Sequence, residues 1–329
     1  MTVPVHFSES KHERIFPEPT SASDVDAQLI HPSAVFIRYN ALARTFMSNR
    51  PLGDASHASL ADFQVGREDA GVVIEKEAGE REGHRMASMA WLGVHSGRPV
   101  FVVIEETERE EQDTLLGVRG IFNIMPADEE ATIMGHALVV AQFRLCHKFC
   151  SKCGSPSSPS LTGAHVACGA CKHSQFPPTY PCVIMLVTCK DRAAGTDHAL
   201  LIERRSLVHT HIAGFIDVVE TPISAAVREV KEESGVDISA ISGRGVRVLH
   251  DLIQPWPFSS SLMIPYHLCC DEIYSAPPAT DPCLTEVLGA LWLSKSDMAL
   301  CLKGEGEYHM PGANSVARRM MEMWVAGDL

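Results

Sequence analysis

The stretch Gly214-Phe-Ile-Asp-Val-Val-Glu220-Thr-Pro-Ile-Ser-Ala-Ala-Val-Arg228-Glu229-Val-Lys-Glu232-Glu233-Ser-Gly235-Val236 decides how the rest of the chain is read. Pro222 suits the first turn of a helix, Thr221 its N-cap and Gly235 its C-cap, so a helix is expected from about Thr221 to Ser234. Ile223, Ala226, Val227 and Val230 give it one apolar face. Glu229, Glu232 and Glu233 stand at i, i+3 and i+4, so their carboxylates share another face. Like charges so placed repel, at about 0.2–0.5 kcal/mol per pair. Hard oxygens in a cluster are what Mg²⁺ or Mn²⁺ wants, above all when the ion also bridges to phosphates. Arg228 is placed to pair with Glu220 and fix the preceding loop against the helix. Most Glu-Glu pairs are simply solvated. Here, however, every fixed position of G-x5-E-x7-R-E-V-x-E-E-x-G-V is filled.

Around this segment the chain reads as an α/β unit. CVIMLVTC (182–189) and HALLIERR (198–205) precede it as strands; strands at Arg247–Leu252 and Leu262–Cys269 and a closing helix at Ala313–Trp324 follow. Upstream, Cys150-x2-Cys153 and Cys168-x2-Cys171 are separated by 14 intervening residues. Two such knuckles bring four thiolates onto one tetrahedral Zn²⁺, and four sulfurs close the shell, so the zinc is structural. Cys146 and His147, close by, read as bystanders rather than spare ligands, and Cys182, Cys189, Cys269, Cys270, Cys283 and Cys301 as packing residues. Farther upstream, a strand at 33–40, a hairpin around His95-Ser-Gly-Arg98 and a helix at about 128–145 make a small α+β domain, preceded by a poorly ordered polar arm over 1–30.

The chain has 329 residues, with 28 Lys and Arg against 41 Asp and Glu, a net charge of −13. Such a surface disfavours a long nucleic-acid duplex as partner but leaves room for an anionic small molecule beside a metal. Eleven cysteines with no apolar leader fit metal ligation and buried thiols better than a secreted disulfide framework. The longest clean apolar run, Cys182–Cys189, is far short of the ~20 residues that span a bilayer, so no membrane partner is expected and an intracellular, cytoplasmic location is the default reading, with a peroxisome-like organelle also open.

Past the glutamate segment stands Gln254-Pro255-Trp256-Pro257-Phe258, with Ser261 after it. The glutamate pattern is the Nudix box, and the chain resembles a Nudix hydrolase. With the Gln-Pro-Trp-Pro-Phe element, the paired knuckles and the closing Ser-Val-Ala-Arg-Arg helix, it is similar over roughly residues 87–329 to the NADH pyrophosphatase branch, also known as NAD-capped RNA hydrolases. The resemblance implies a Nudix α/β/α sandwich with a zinc ribbon and an N-terminal α+β domain, divided at 1–145, 146–178 and 179–329, and assembled as a homodimer. It implies metal-dependent hydrolysis of the pyrophosphate of NAD(H) to NMN(H) and AMP, and removal of NAD caps from RNA. Glu229, Glu232, Glu233 and Glu286, with the Ala213 carbonyl, match the magnesium or manganese ligands. Arg228 and Glu220 complete the catalytic box. Phe176, Phe215, Gln254, Pro255, Trp256, Pro257, Phe258, Ser259, Ser260, Ser261 and Ala317 match substrate-contacting positions.

Three departures stand out. Ile253 replaces a serine, Asp217 replaces a glutamate, and Val219 replaces the glycine that precedes the box glutamate. Glycine there permits positive φ, so either the loop takes another path or the position never needed it. Three other functions stay open. The first is a Nudix hydrolase of another dinucleotide or ADP-sugar, and the second is a non-catalytic zinc-ribbon nucleic-acid binder, for which Lys148, Lys152 and Lys172 are thin support. The third, an inactive homologue, would be expected to lose box glutamates, and none is lost.

Overall fold

The computed structural model describes residues 22–42, 44–47, 59–65, 88–105, 120–122, 125, 129–191, 195–239, 245–270 and 287–329. They fall into two compact units. Thr179–Trp256 and Ser261–Leu329 form one; Pro257–Ser260 and the described residues before Thr179 form the other.

In the N-terminal unit, β1 (Val35–Asn40), β2 (Thr45–Phe46), β3 (Gln64–Val65), β4 (Met89–His95) and β5 (Arg98–Glu105) make one sheet. The β4–β5 hairpin turns through Ser96 and Gly97, at φ 47° and 75°. Two left-handed residues in a two-residue turn match the right-handed twist of the strands. The expected polar arm proves partly helical: Ala22–Leu29 is a helix, and Val25 and Leu29 pack in the core with Phe36, Met89, Trp91 and Phe101. The helix Glu129–Cys146 leads into the cysteine segment, with strands β6 (Ser157–Pro159), β7 (Val166–Cys168) and β8 (Ser174–Gln175). Buried Arg144 donates to the carbonyls of Met89 and Gly163, joining that helix, the sheet and the cysteine segment. Burial lowers its guanidinium to about 10.

The C-terminal unit is built on eight strands: β9 (Tyr180–Asp191), β10 (Thr196–Arg204), β11 (His209–Thr210), β12 (Ile212–Phe215), β13 (Val246–Val248), β14 (Gln254–Trp256), β15 (Ser261–Cys270) and β16 (Val287–Ser294). β9 lies at the centre, parallel to β15 and antiparallel to β10 and β12. Alternate β9 residues serve opposite faces. Val183, Met185 and Val187 pack with Ala225, Ala226 and Val230 of the glutamate helix. Ile184 and Leu186 pack with Val316, Ala317, Met320 and Trp324 of the closing helix. Burial on both faces is why β9 reads as an unbroken apolar run. The result is an α/β/α sandwich.

The closing helix runs Val316–Ala326 rather than from Ala313, because the Ser315 side chain caps it by accepting from the Arg318 amide. A further helix, Lys295–Lys303, contributes Met298 and Cys301 to the same face. The strand expected at Arg247–Leu252 ends at Val248 and continues as a 3-10 turn, His250–Leu252. No helix among the described residues is long and apolar enough to cross a membrane.

Candidate active site and zinc cluster

The glutamate helix spans Pro222–Ser234. The Thr221 side chain accepts from the Ser224 amide at 3.2 Å, and Gly235, at φ 70°, closes the other end by donating to the Lys231 carbonyl. Arg228 uses all five guanidinium donors. Two go bidentately to Glu220, at 3.0 and 2.9 Å. One goes to Glu229 at 2.8 Å, one to Glu232 at 2.9 Å, and one to the Phe215 carbonyl at 3.0 Å. The loop from Phe215 to Glu220 is thereby fastened to the helix at both ends. The Arg228 guanidinium holds the Glu220 carboxyl below its ordinary range, while burial raises Glu229 above its own.

Glu229 lies against Gly214. A Cβ built on that glycine would stand 2.0 Å from the Glu229 carboxyl carbon, so the strand touches the carboxylate through backbone alone. Glu233 is buried and takes an ion pair from Arg204 at 3.4 Å, whereas Glu232 is exposed. Arg204 carried no signal in the sequence; it meets Glu233 only through the pairing of β10 in the sheet. The three glutamates do not close into a ready ligand cluster. Among the described residues only four cysteines bring one ligand atom each within 4.8 Å of one another. Arg228 Nη1 donates to an oxygen on both Glu229 and Glu232, while Glu233 pairs with Arg204. An all-oxygen donor set beside a glycine of the strand suits a hard divalent cation. Ala213, half-buried in β12, is the residue before Gly214. Glu286 lies outside the described residues.

Val219 resolves the alternatives left by the sequence. It sits at φ 68°, fully exposed, in the turn closed by the Glu220 amide donating to the Asp217 carbonyl at 3.0 Å. The glycine-like conformation is kept, and a β-branched residue bears it. Left-handed backbone costs such a residue about 1–2 kcal/mol, whereas glycine loses roughly 0.5–1 kcal/mol through its freer unfolded chain. Val219→Gly is therefore expected to stabilise the C-terminal unit by up to ~1 kcal/mol, raising its Tm by about 2–4 °C. Calorimetry showing a lower Tm would mean that Val219 carries no strain.

On the opposite sheet face, Phe215, Cys182, Met263 and Gln254 stand in register across four strands. Tyr180, Ser261 and Trp256 form the adjoining row. Phe215 and Tyr180 are exposed. Ala317 is buried on this face with Ala213 and Met263. Pro255 pairs with Leu262 and alternates to the other face. Cys182, Met263 and Tyr180 went unread as wall residues, because only the strand register aligns them with Phe215. The remaining expected substrate residues belong to the N-terminal unit. There Phe258 packs edge-on to Phe122, Pro257 is buried, Ser259 is exposed, Ser260 adopts φ 52°, and exposed Phe176 stacks on His165 at 4.5 Å.

Cys150 and Cys171 approach to 3.6 Å, and Cys153 and Cys168 to 3.5 Å. A tetrahedron with Zn–S bonds of ~2.3 Å has edges of about 3.8 Å, so the four sulfurs already stand near zinc-ligand spacing. The knuckles share one geometry. Gly154 and Lys172, each just after its second cysteine, have φ 74° and 60°, and their amides donate to the Cys150 and Cys168 carbonyls. About one zinc per chain is expected to survive a chelator wash, and Cys150→Ser should lose it and aggregate; metal analysis finding none would remove the assignment.

Residues 181–308 match the NUDIX domain. The NAD-capped RNA hydrolase NudC of Salmonella paratyphi C (strain RKS4594) is 32% identical to this chain over 238 residues, 71% of this chain and 80% of the relative. That of Salmonella typhimurium matches to the same extent. The chain belongs to the Nudix hydrolase family. It is a Nudix-domain relative of the NudC hydrolases that carries a cysteine cluster suited to structural zinc. Among solved structures, a NUDIX hydrolase from Nitrosomonas europaea matches at a TM-score of 0.35 with 18% identity, over 55% of this chain and 93% of its own.

Proposed function

We propose that this enzyme hydrolyses the pyrophosphate bond of NAD(H), giving NMN(H) and AMP, and removes NAD caps from RNA by the same chemistry. It would do so as a homodimer that uses Mg²⁺ or Mn²⁺, with zinc holding the cysteine segment. One observation carries the reading. Successive residues at the end of β12 serve the two needs of such a substrate, Gly214 lying against the Glu229 carboxylate and Phe215, on the other face, heading the row that ends at Gln254 beside the row of Trp256. The names of the NudC relatives support the same substrate.

A divalent ion bound at the carboxylates supplies charge neutralisation for the diphosphate and a more acidic water. Glu229 and Glu233 are the main ligands, with Glu232, Glu286 and the Ala213 carbonyl completing the set. Burial disfavours the Glu229 carboxylate, so it gains from a cation beside it. Arg228 keeps the loop closed through Glu220, and Glu229 and Glu232, each also bonded to Arg228, would be the residues that hold the ion. Glu232 and Glu286 are the two candidates for the base. Phe215 and Trp256 offer flat apolar surface to a base or nicotinamide ring.

Stacking of a ring on such a surface is worth ~1–3 kcal/mol. Phe215→Ala should therefore lower kcat/KM for NADH by roughly five- to a hundredfold and much less for ADP-ribose. Equal losses on both would report damage to the neighbouring loop. A wild-type preference for ADP-ribose would favour an ADP-sugar hydrolase instead.

A further inference from the structure

We propose that Gln254 is a positioning residue that sets the orientation of Trp256 and the first turn of the closing helix, and does not itself contact the substrate. The proposal rests on the reading of β14 as part of the substrate wall. Its structural half stands without that reading.

The Gln254 side chain is 2% exposed, so little of it is left for a ligand. Its Oε1 accepts from the Trp256 indole N–H at 3.0 Å and from the Val316 amide at 3.1 Å. Its Nε2 donates to the Asn314 carbonyl at 3.0 Å. An amide oxygen has two lone pairs, and both are engaged. Val316 opens the closing helix, so its amide is one of those with no partner inside the helix. Ser315 caps the Arg318 amide, and Gln254, from a separate strand, satisfies the Val316 amide. One carboxamide thus ties together strand β14, the turn before the helix and the turn that carries Ala317.

The consequence for recognition lies in Trp256. Its single N–H points inward to Gln254, so the half-buried indole presents a ring surface without a donor. The wall selects for a flat ring, and the polar group beneath it fixes the tilt of that surface. Met in place of Gln254 keeps the length of the side chain but leaves the indole N–H, the Val316 amide and the Asn314 carbonyl uncompensated. Glu keeps both acceptor bonds and loses the donor to Asn314. Phe in place of Trp256 keeps a ring and removes the anchor.

The test uses the full chain with ¹⁵N-labelled tryptophan. Exchange of the Trp256 indole hydrogen is followed without substrate, with Trp91, bonded to the Gly93 carbonyl at 3.0 Å, as internal reference. Gln254→Met should speed exchange at Trp256 by about tenfold or more, the loss expected for one buried hydrogen bond, with Trp91 unchanged. Gln254→Glu should keep the protection. Steady-state kinetics with NADH should then show KM rising about tenfold in Gln254→Met, with a smaller change in kcat. Trp256→Phe should do the same, and the double variant should be hardly worse than either single change. Unchanged exchange in Gln254→Met overturns the proposal. So do multiplying losses in the double variant, which would place Gln254 on the substrate. If Gln254→Met does not fold, Trp256→Phe decides alone, an unchanged KM being the contrary result. A wild-type protein inert toward NADH would sink the proposed function, while indole exchange would still decide the role of Gln254.

Discussion

Glu233→Gln is expected to lower turnover by about a hundredfold or more while leaving the fold intact. The substitution keeps size and hydrogen-bonding capacity and removes one charge. Glu233 is buried on the sheet side of the glutamate helix, and Arg204 reaches it at 3.4 Å. The amide oxygen of glutamine can still accept from Arg204, so the contact that folding uses is kept. A divalent cation facing a diphosphate does need the charge. The measurement is kcat at saturating Mg²⁺, with circular dichroism as the control for folding. Near-wild-type turnover would remove Glu233 from the metal set.

Gly214→Ala tests Glu229, the other proposed ligand, without touching it. The added methyl would overlap the Glu229 carboxylate, whose nearest atoms lie at 2.0 Å from the ideal Cβ. The obstructing group is the far end of a flexible side chain, so the helix stays in place and the carboxylate swings away. A displacement near 1 Å at a reacting centre costs roughly a hundredfold in rate. Activity should therefore fall by that order with a small change in Tm. A large Tm loss with proportionate activity would show that Gly214 serves packing alone.

The local chemistry of the site was legible and its long-range geometry was not. Thr221, Pro222 and Gly235 bound the glutamate helix as their backbone preferences require, and the cysteine spacing anticipated the thiolate cluster. Sequence suggested only the Glu220 partner of Arg228; the bonds to Glu229, Glu232 and the Phe215 carbonyl depend on how the loop folds back. The row from Phe215 to Gln254 depends on register across four strands, which no local pattern encodes. Helix Ala22–Leu29 was hidden by polar neighbours, although Val25 and Leu29 stand one helical turn apart. Helix Lys295–Lys303 had its signals in Ser294 and Gly304, which cap it, but its apolar face is weak.

The most direct test of the central claim is hydrolysis of NADH in ¹⁸O-labelled water with Mg²⁺ or Mn²⁺, products resolved by mass. Water attack on the pyrophosphate predicts NMNH and AMP in equal amounts, with one labelled oxygen carried into a phosphate of the products and none into the nicotinamide riboside bond. Release of dihydronicotinamide with ADP-ribose, or inert NADH beside rapid turnover of ADP-ribose, would contradict it.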